Sequence, residues 1–286
     1  MGAQFSQFFP LNPTFTEKDL PQTQDKIFLI TGGTSGIGLE LAKILYRHGG
    51  SRVYITGRTE EKVRAAIREI RAAVPNLTQK GNGNGNGNGR LDYIVLELSD
   101  LASIKAPTEQ FMTRESRLDV LFNNAGVSQP PVGSKSKQGY EFQIAMNILG
   151  PFLFTRLLLP LLETTASTTA ATNSSSPPRV IWTNSQVAEL SSPAEVIILS
   201  ELTTPLTDPV RNYLNSKTGN MFLSAEFVRR NLFRTAKVMK LSAYSLLHSP
   251  KQAAHTVLYA GLSEDISVMN SGCYITEYFN PREPNT

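Results

Sequence analysis

The chain has 286 residues and a formal net charge of +4, with 40% hydrophobic and 18% charged residues, as is typical of a globular protein. The charge is mild and no lysine or arginine cluster forms a stripe, which argues against nucleic-acid binding. The single cysteine, Cys273, excludes an internal disulfide and predicts a reducing, cytoplasmic location.

Residues 1–24 carry prolines and polar residues without a period and predict an extended lead-in. The first six, MGAQFS, fit the myristoylation pattern through Gly2 and Ser6. A single acyl chain without a polybasic partner would give only weak membrane contact. The longest apolar run, ILGPFLFTRLLLPLL at 148–162, contains Arg156 and is too short to span a bilayer, so no transmembrane segment is predicted.

Short β-branched runs then alternate with segments of helical period. The predicted strands are 26–31, 52–56, 91–98, 118–123 and 179–183, and the predicted helices are 36–48, 59–74, 101–114, 139–162 and 211–230. Such alternation implies right-handed crossovers and a parallel sheet with helices on both faces. We therefore predict an α/β fold of the doubly wound, Rossmann-like type, as a single domain over residues 1–286.

Two segments interrupt the alternation. The repeat GNGNGNGNG at 81–89 lies between the second helix and the third strand, and it can bury nothing. Such low-complexity composition predicts a disordered loop. The stretch TTASTTAATNSSSPP at 164–178 predicts a second flexible connection.

A glycine-rich turn joins the first strand to its helix. In LITGGTSGIGLELAKIL, Gly32, Gly36 and Gly38 allow a tight turn that leaves backbone N–H groups at a helix N-terminus. This arrangement favours an anion such as a pyrophosphate, and the spacing is a variant of the dinucleotide fingerprint. No Lys-Ser/Thr pair follows the glycines, which excludes a P-loop. A tight turn without a ligand remains the alternative.

The end of the second strand bears on the choice of nicotinamide cofactor. The stretch YITGRTEEK places Arg58 where an NAD-binding protein usually carries an acid for the ribose hydroxyl. A guanidinium instead pairs with a 2′-phosphate. NADP(H) is therefore the predicted cofactor, and a solvated surface arginine is the alternative; no metal site is predicted.

The pentapeptide YLNSK places Tyr213 and Lys217 four residues apart in a predicted helix. Side chains at that spacing lie on one helix face. The pair alone does not distinguish an active site from two neighbours on a surface.

Together, TGxxxGxG, NNAG at 123–126 and YxxxK resemble the short-chain dehydrogenase/reductase family in their order and spacing. The lead FFPLNPTFTEKDLP is similar to that of the family's fungal branch. The resemblance covers about Phe8 to Arg230 and, more loosely, the segment from Ser242 to the end. It implies hydride transfer between NADP(H) and a small-molecule ketone or secondary alcohol, while substrate identity and oligomeric state stay open. The alternative is an NADP-binding protein with little or no turnover.

The resemblance also implies roles for individual residues on the cofactor side. Ile37 and the glycines would line the pyrophosphate. Glu97 stands where the family usually has an aspartate that meets the adenine, with Leu98 beside it. The backbone of Asn124, Ala125 and Gly126 would border the cofactor ribose.

On the reacting side, the resemblance implies that Asn147 helps to hold a proton-relay water and that Ser185 binds the substrate carbonyl. Ser185 precedes Tyr213 by 28 positions, a longer spacing than is usual in the family. Tyr213 would supply a proton to the alkoxide that hydride transfer leaves. Lys217 would add a positive charge that favours tyrosinate and would hold ribose hydroxyls.

After Arg230 the sequence departs from the family pattern, which continues with a sixth strand and a Pro-Gly turn. Residues 231–286 form a variable, substrate-side segment that contains no Pro-Gly pair. The sheet is therefore expected to lack its usual sixth strand. The empty position could be taken by CYITEY (273–278), which we favour, by AKVMKL (236–241), or by neither. In each case the nicotinamide would lose its usual cover, and we expect NADPH binding with low turnover.

We predict that residues 81–89 are dispensable. Replacing the repeat by a short turn should leave the melting temperature unchanged or slightly higher, because doubling a loop's length costs only about 0.6 kcal/mol. Thermal unfolding gives the melting temperature of each protein. A large fall in the melting temperature of the shortened protein would contradict the prediction.

Overall fold

The computed structural model describes residues 14–74, 90–172, 177–185, 200–201, 206–229, 239–244, 249–266, 274–275 and 281–282. The predicted loop at 81–89 and the acylation candidate Gly2 lie outside these residues.

One sheet organises the described chain. Its strands are β1 (Ile27–Ile30), β2 (Arg52–Gly57), β3 (Arg90–Val95), β4 (Val120–Asn123), β5 (Arg179–Asn184), β6 (Met239–Tyr244), β7 (Tyr274–Ile275) and β8 (Pro281–Arg282). They are hydrogen-bonded in the order β3-β2-β1-β4-β5-β6-β7-β8, and all pairs are parallel except β7 with β8. The predicted doubly wound α/β fold is confirmed.

Helices follow the strands as crossovers. They are α1 (Gly36–His48), α2 (Glu60–Ala72), α3 (Lys105–Arg114), α4 (Phe142–Ile144), α5 (Gly150–Thr172), α6 (Pro209–Arg229) and α7 (Pro250–Leu262). A 3₁₀ turn, Leu101–Ser103, precedes α3, and a π-helical turn, Ala145–Leu149, joins α4 to α5.

The central strands are mostly apolar because helices cover both faces of the sheet. Every residue of β1 and β4 is buried. One face packs against α1, α2 and α7 through residues such as Leu41, Ile67 and Val257. The opposite face packs against α3 and α5 through residues such as Phe111 and Leu158. The strand order reverses between β1 and β4, and ligands of such sheets bind beyond the carboxyl ends of the strands there.

The helix after β4 is longer than predicted, so the flexible connection expected at 164–178 is wrong over 164–172. Hydroxyl groups in this stretch donate to the carbonyl one turn back, as Thr164 Oγ1 does to Pro160 (2.9 Å) and Thr165 Oγ1 to Leu161 (2.8 Å). These bonds satisfy side chains that otherwise favour turns. Thr165 Oγ1 also accepts the Leu118 N–H at 2.9 Å, which anchors the helix beside β4.

The same helical stretch is apolar. Within the described residues, Phe142–Ala171 is long and apolar enough to cross a membrane by length and composition, and 61% of the tested window is buried in the protein. Phe154, Leu158 and Leu162 belong to the core on this side of the sheet. Such burial is typical of the core helix of a globular protein.

The position beside β5 is filled, so the expectation of a missing sixth strand needs correction. Met239–Tyr244 pair with β5 in parallel, from Arg179↔Met239 to Asn184↔Tyr244. This matches the second of the three outcomes, because the strand overlaps AKVMKL. The favoured placement of CYITEY beside β5 is wrong: Tyr274–Ile275 instead pair with the outer edge of β6.

The described part of the lead-in crosses the outside of α7. The Phe15 ring meets the Tyr259 ring edge-on at 5.4 Å. Glu17 accepts from His255 Nε2 at 2.7 Å and pairs with Lys251 Nζ at 3.1 Å. The lead-in therefore packs on the outer surface of α7.

We predict that Glu17→Gln lowers stability at neutral pH, by at most about 1 kcal/mol because the ion pair is partly exposed. Burial alone would raise the pKa of Glu17, but hydrogen bonds from its own backbone, His255 and Lys251, together with the charge of Lys251, lower it from 4.5 to about 2. Because the folded-state pKa lies below the unfolded one, the contribution is complete above about pH 4.5 and is lost toward pH 2.

Urea unfolding at several pH values measures this effect. Glu163→Gln is the control, since the described residues offer Glu163 no ion pair. A stability difference that persists at pH 2, or that matches the control at neutral pH, would contradict the assignment.

Candidate active site

The glycine-rich turn after β1 is shaped by close contact with the segment after β4. Gly32 (φ +66°) and Gly36 (φ +56°) adopt left-handed backbone conformations that other residues rarely take. A Cβ on Gly32 would lie 2.9 Å from Ala125 Cα, and one on Gly38 would lie 2.5 Å from Asn124 Nδ2. The three predicted glycines are therefore required by the backbone itself.

A hydroxyl that sequence reasoning missed joins these two segments. Thr31 Oγ1 accepts the backbone N–H groups of Asn124 and Ala125, both at 3.0 Å. Asn124 Nδ2 donates back to the Thr31 carbonyl at 3.0 Å. The NNAG segment is thus fixed against the glycine turn. Thr31 is the first residue of TGxxxGxG, and this position in the motif could have identified it from the sequence.

A cavity of about 670 Å³ opens beside this turn, at the carboxyl ends of the central strands. The predicted residues that line it are Gly32, Gly36, Ile37, Arg58, Leu98, Asn124, Ala125 and Gly126. Further lining residues that the sequence did not single out include Thr34, Ser35, Thr56, Lys62, Leu96, Val127 and Met146. Gly38 is not part of the lining, because it lies against the underside of the turn.

The cavity is basic where β2 ends. Exposed Arg58 and Lys62 both line it. Two nearby acids have partners of their own: Glu60 binds Arg64 at 2.6 Å and Glu69 binds Lys43 at 2.8 Å. Sequence reasoning missed Lys62, although it stands four residues after Arg58.

Glu97 is placed differently from the other predicted cofactor residues. One of its carboxylate oxygens accepts from the Ser99 backbone N–H (2.9 Å) and from Ser99 Oγ (2.7 Å). Leu96 and Leu98 line the cavity, whereas Glu97 is not among its lining residues. Its predicted contact with an adenine stays a prediction.

Tyr213 and Lys217 lie on α6, which packs against the end of β5. Lys217 is only 5% exposed, and its Nζ donates to the Thr183 carbonyl at 3.2 Å. The same Nζ lies 5.9 Å from the centre of the Tyr213 ring and within 3.2 Å of where a Cβ on Gly126 would be. The pair therefore meets the NNAG segment inside the protein and is not a surface coincidence.

Ser185, directly after β5, completes this group. It is buried, and its N–H donates to Asn184 Oδ1 at 2.8 Å. Burial raises the pKa of Tyr213, and the nearby Ser185 side chain opposes that rise. Burial also lowers the pKa of Lys217 to about 8. At neutral pH the Tyr213 phenol is therefore protonated, which is the form that can donate a proton.

Asn147 lies in the π-helical turn, a distortion often found at functional sites. Its Oδ1 accepts the Val127 N–H at 2.8 Å, and its Nδ2 donates to the Val127 carbonyl and to Ser216 Oγ, both at 2.9 Å. The side chain thus joins the segment after NNAG to the helix of Tyr213. Its predicted part in holding a water stays a prediction.

The four residues predicted to act at the reacting end therefore lie close together. Asn147, Ser185 and Lys217 are buried and Tyr213 is partly buried, at the carboxyl ends of β4 and β5. Gly126 links them to the cavity, because a Cβ there would touch both Lys217 Nζ and Asn147 Oδ1. A polar, water-poor group of this kind beside an anion-binding turn suits proton and hydride transfer.

Known proteins are similar to this chain in sequence. The family model described as short chain dehydrogenase matches residues 26–193. A short-chain dehydrogenase/reductase from Pestalotiopsis fici is 34% identical over 302 residues, which cover 98% of this chain and 89% of that protein.

Solved structures give the same result for the fold. A structure described as a putative uncharacterized protein from Mycobacterium paratuberculosis has a TM-score of 0.69 and 26% identity, covering 95% of this chain and 89% of that one. A metagenomic short-chain oxidoreductase in complex with NADP has a TM-score of 0.59 and 24% identity, covering 85% and 94%. An NADH-dependent reductase complexed with NAD has a TM-score of 0.63 and 17% identity, covering 88% and 95%.

Proposed function

The chain belongs to the short-chain dehydrogenase/reductase family of oxidoreductases, and we propose that it reduces a ketone to a secondary alcohol with NADPH. The observation that carries the proposal is the proximity of Tyr213 to Ser185 and to buried Lys217, beside the glycine-lined cavity. These three residues supply a proton donor, a carbonyl-binding hydroxyl and a cation in one place.

The cavity fits a dinucleotide. A Cβ on Gly36 would meet open space, and the turn opens the N-terminus of α1 to a pyrophosphate. Ile37, Asn124 and the backbone of Gly126 would hold the rest of the molecule. When bound, the reduced nicotinamide supplies the hydride.

The preference for NADP rests on charge. Arg58 and Lys62 line the cavity where β2 ends, and guanidinium and ammonium groups suit a 2′-phosphate. Known structures of similar fold contain either NAD or NADP, so likeness of fold does not decide between the two cofactors. The basic pair favours NADP.

The chain's own residues then perform the proton chemistry. Ser185 would hydrogen-bond the substrate carbonyl oxygen and polarise it. Tyr213, kept protonated by its raised pKa, would give its proton to the oxygen that becomes the alcohol. Lys217 would stabilise the resulting tyrosinate until solvent returns the proton.

A second candidate function is NADP(H) binding with little turnover. The sequence contains no Pro-Gly pair after β6, where the family resemblance implies a segment that covers the nicotinamide. The 302 positions aligned with the Pestalotiopsis relative exceed the 286 residues of this chain, so the relative has positions that the chain lacks.

We predict that Tyr213→Phe removes the proton donor and lowers kcat by about 10²–10⁴-fold. NADPH affinity should stay within about twofold, because the ring remains. The measurement is NADPH consumption with a panel of ketones, and Tyr140→Phe, an exposed tyrosine, is the control. A Tyr213→Phe variant as active as the wild type would refute the assignment, and a wild type that binds NADPH but reduces no ketone would support the second candidate.

We also predict that the unmodified protein binds NADPH more tightly than NADH. Arg58→Asp should reduce the ratio of the two affinities by about tenfold or more, since a charged hydrogen bond is lost and an acid is gained. Fluorescence titration with both cofactors measures the ratio of affinities, and Arg68→Asp on the outer face of α2 is the control. Equal affinities of the wild type for NADPH and NADH would contradict the prediction.

A further inference from the structure

Two amide side chains, Gln143 and Asn147, connect the same two parts of the site. They stand four residues apart, so they lie one above the other on one face of the helical segment. Each bonds the loop after Gly126 on one side and α6 on the other. We name these two side chains, with their hydrogen bonds, the amide bridge.

Gln143 is the member that the proposed chemistry does not use. It is 0% exposed. Its Oε1 accepts the Gln129 N–H at 3.0 Å, and its Nε2 donates to the Pro209 carbonyl at 2.9 Å. Both ends of the amide are therefore occupied by backbone groups that lie 80 positions apart in the chain, at residues 129 and 209.

The backbone that Gln143 holds on the loop side is unusual. Gln129 has φ +50°, in the left-handed region that residues with a Cβ rarely adopt. Such a conformation persists only where the surroundings maintain it. The hydrogen bond from Gln129 N–H to Gln143 is a direct restraint on this residue.

On the other side, Gln143 holds the first turn of α6. Pro209 is the first residue of this helix, and Tyr213 is four residues further on. In an α-helix the N–H of residue i+4 donates to the carbonyl of residue i, so Pro209 and Tyr213 belong to the same first turn. Val127, two residues before Gln129, lines the cavity. The length of the Gln143 side chain therefore sets the distance between the cavity wall and the turn that carries Tyr213.

We propose that Gln143 is a positioning residue for ketone reduction, which holds left-handed Gln129 and the start of α6 so that the wall at Val127 faces Tyr213 at a fixed distance. The inference rests on the proposed function for its kinetic consequence. Its structural part, the restraint of both segments, does not depend on catalytic turnover.

The kinetic test is Gln143→Leu, which keeps the volume and removes both hydrogen bonds. We expect KM for the ketone to rise and kcat to fall, with kcat/KM about tenfold lower, while NADPH affinity stays within twofold. Gln110→Leu, at an exposed glutamine on α3, is the control and should behave as wild type.

A second variant separates positioning from general damage. Gly at position 129 accepts a left-handed φ without strain. Adding Gln129→Gly to Gln143→Leu should therefore recover the part of kcat/KM that is lost through Gln129, while the part lost through Pro209 remains lost. A Gln143→Leu variant within twofold of wild type, or a double variant no better than the single one, would overturn the proposal.

Hydrogen–deuterium exchange provides the readout that is independent of catalysis. In Gln143→Leu, peptides that cover 127–129 and 209–213 should exchange faster, while β1 peptides stay protected. If Gln143→Leu does not fold, Gln143→Glu serves instead, because it keeps the acceptor for Gln129 and loses the donor to Pro209. That variant should loosen 209–213 alone, and unchanged exchange in both segments would overturn the proposal even if the wild type reduces no ketone.

Discussion

The site depends on the contact between two backbone turns, one after β1 and one after β4. Gly32 and Gly38 approach Ala125 and Asn124 so closely that a Cβ on either glycine would collide. Thr31 Oγ1 then fixes the approach with two N–H hydrogen bonds. Because the turns lie side by side, the anion-binding end of α1 and the NNAG segment form one cavity wall. The remaining groups of the site are arranged along the continuation of that wall.

The reacting side chains reach this wall through a second set of contacts, which are polar and buried. Lys217 is held by the Thr183 carbonyl, and Asn147 by Val127 and Ser216. Burying a polar group is costly unless it is hydrogen-bonded, so each of these bonds restricts how the site can be arranged. Burial also has a chemical effect here. It raises the pKa of Tyr213, so the tyrosine is protonated at neutral pH and can donate a proton. It also lowers the pKa of Lys217 to about 8, which is close to neutral pH.

The sequence predicts those parts of this arrangement that local rules govern. Glycines in a strand-to-helix turn, and a tyrosine and a lysine one helical turn apart, follow from backbone sterics and helix geometry. The contacts of Gln143 with residues 129 and 209 follow from tertiary packing, and nothing in the local pattern indicates them. The helix over 164–172 was missed because threonine and serine favour turns unless their hydroxyls bond backward. The segment of β6 was named as an alternative but not favoured, because its strand signal is weak and pairing with the edge of β5 overrides it.

The presence of β6 completes the sheet but leaves the argument about turnover as it was. Low activity was expected for each of the three placements because the nicotinamide would lose its usual cover, and the pairing of Met239–Tyr244 with β5 concerns the sheet edge alone. The absent Pro-Gly pair and the aligned positions that this chain lacks still favour binding without turnover. Against them stands the burial of Ser185 and Lys217, which β5, α6 and the π-helical turn already provide. Proton transfer needs a protonated Tyr213 and a site from which bulk water is largely excluded, and both conditions are met by segments that the chain retains. The arrangement of the described residues therefore favours the reductase over the binding protein.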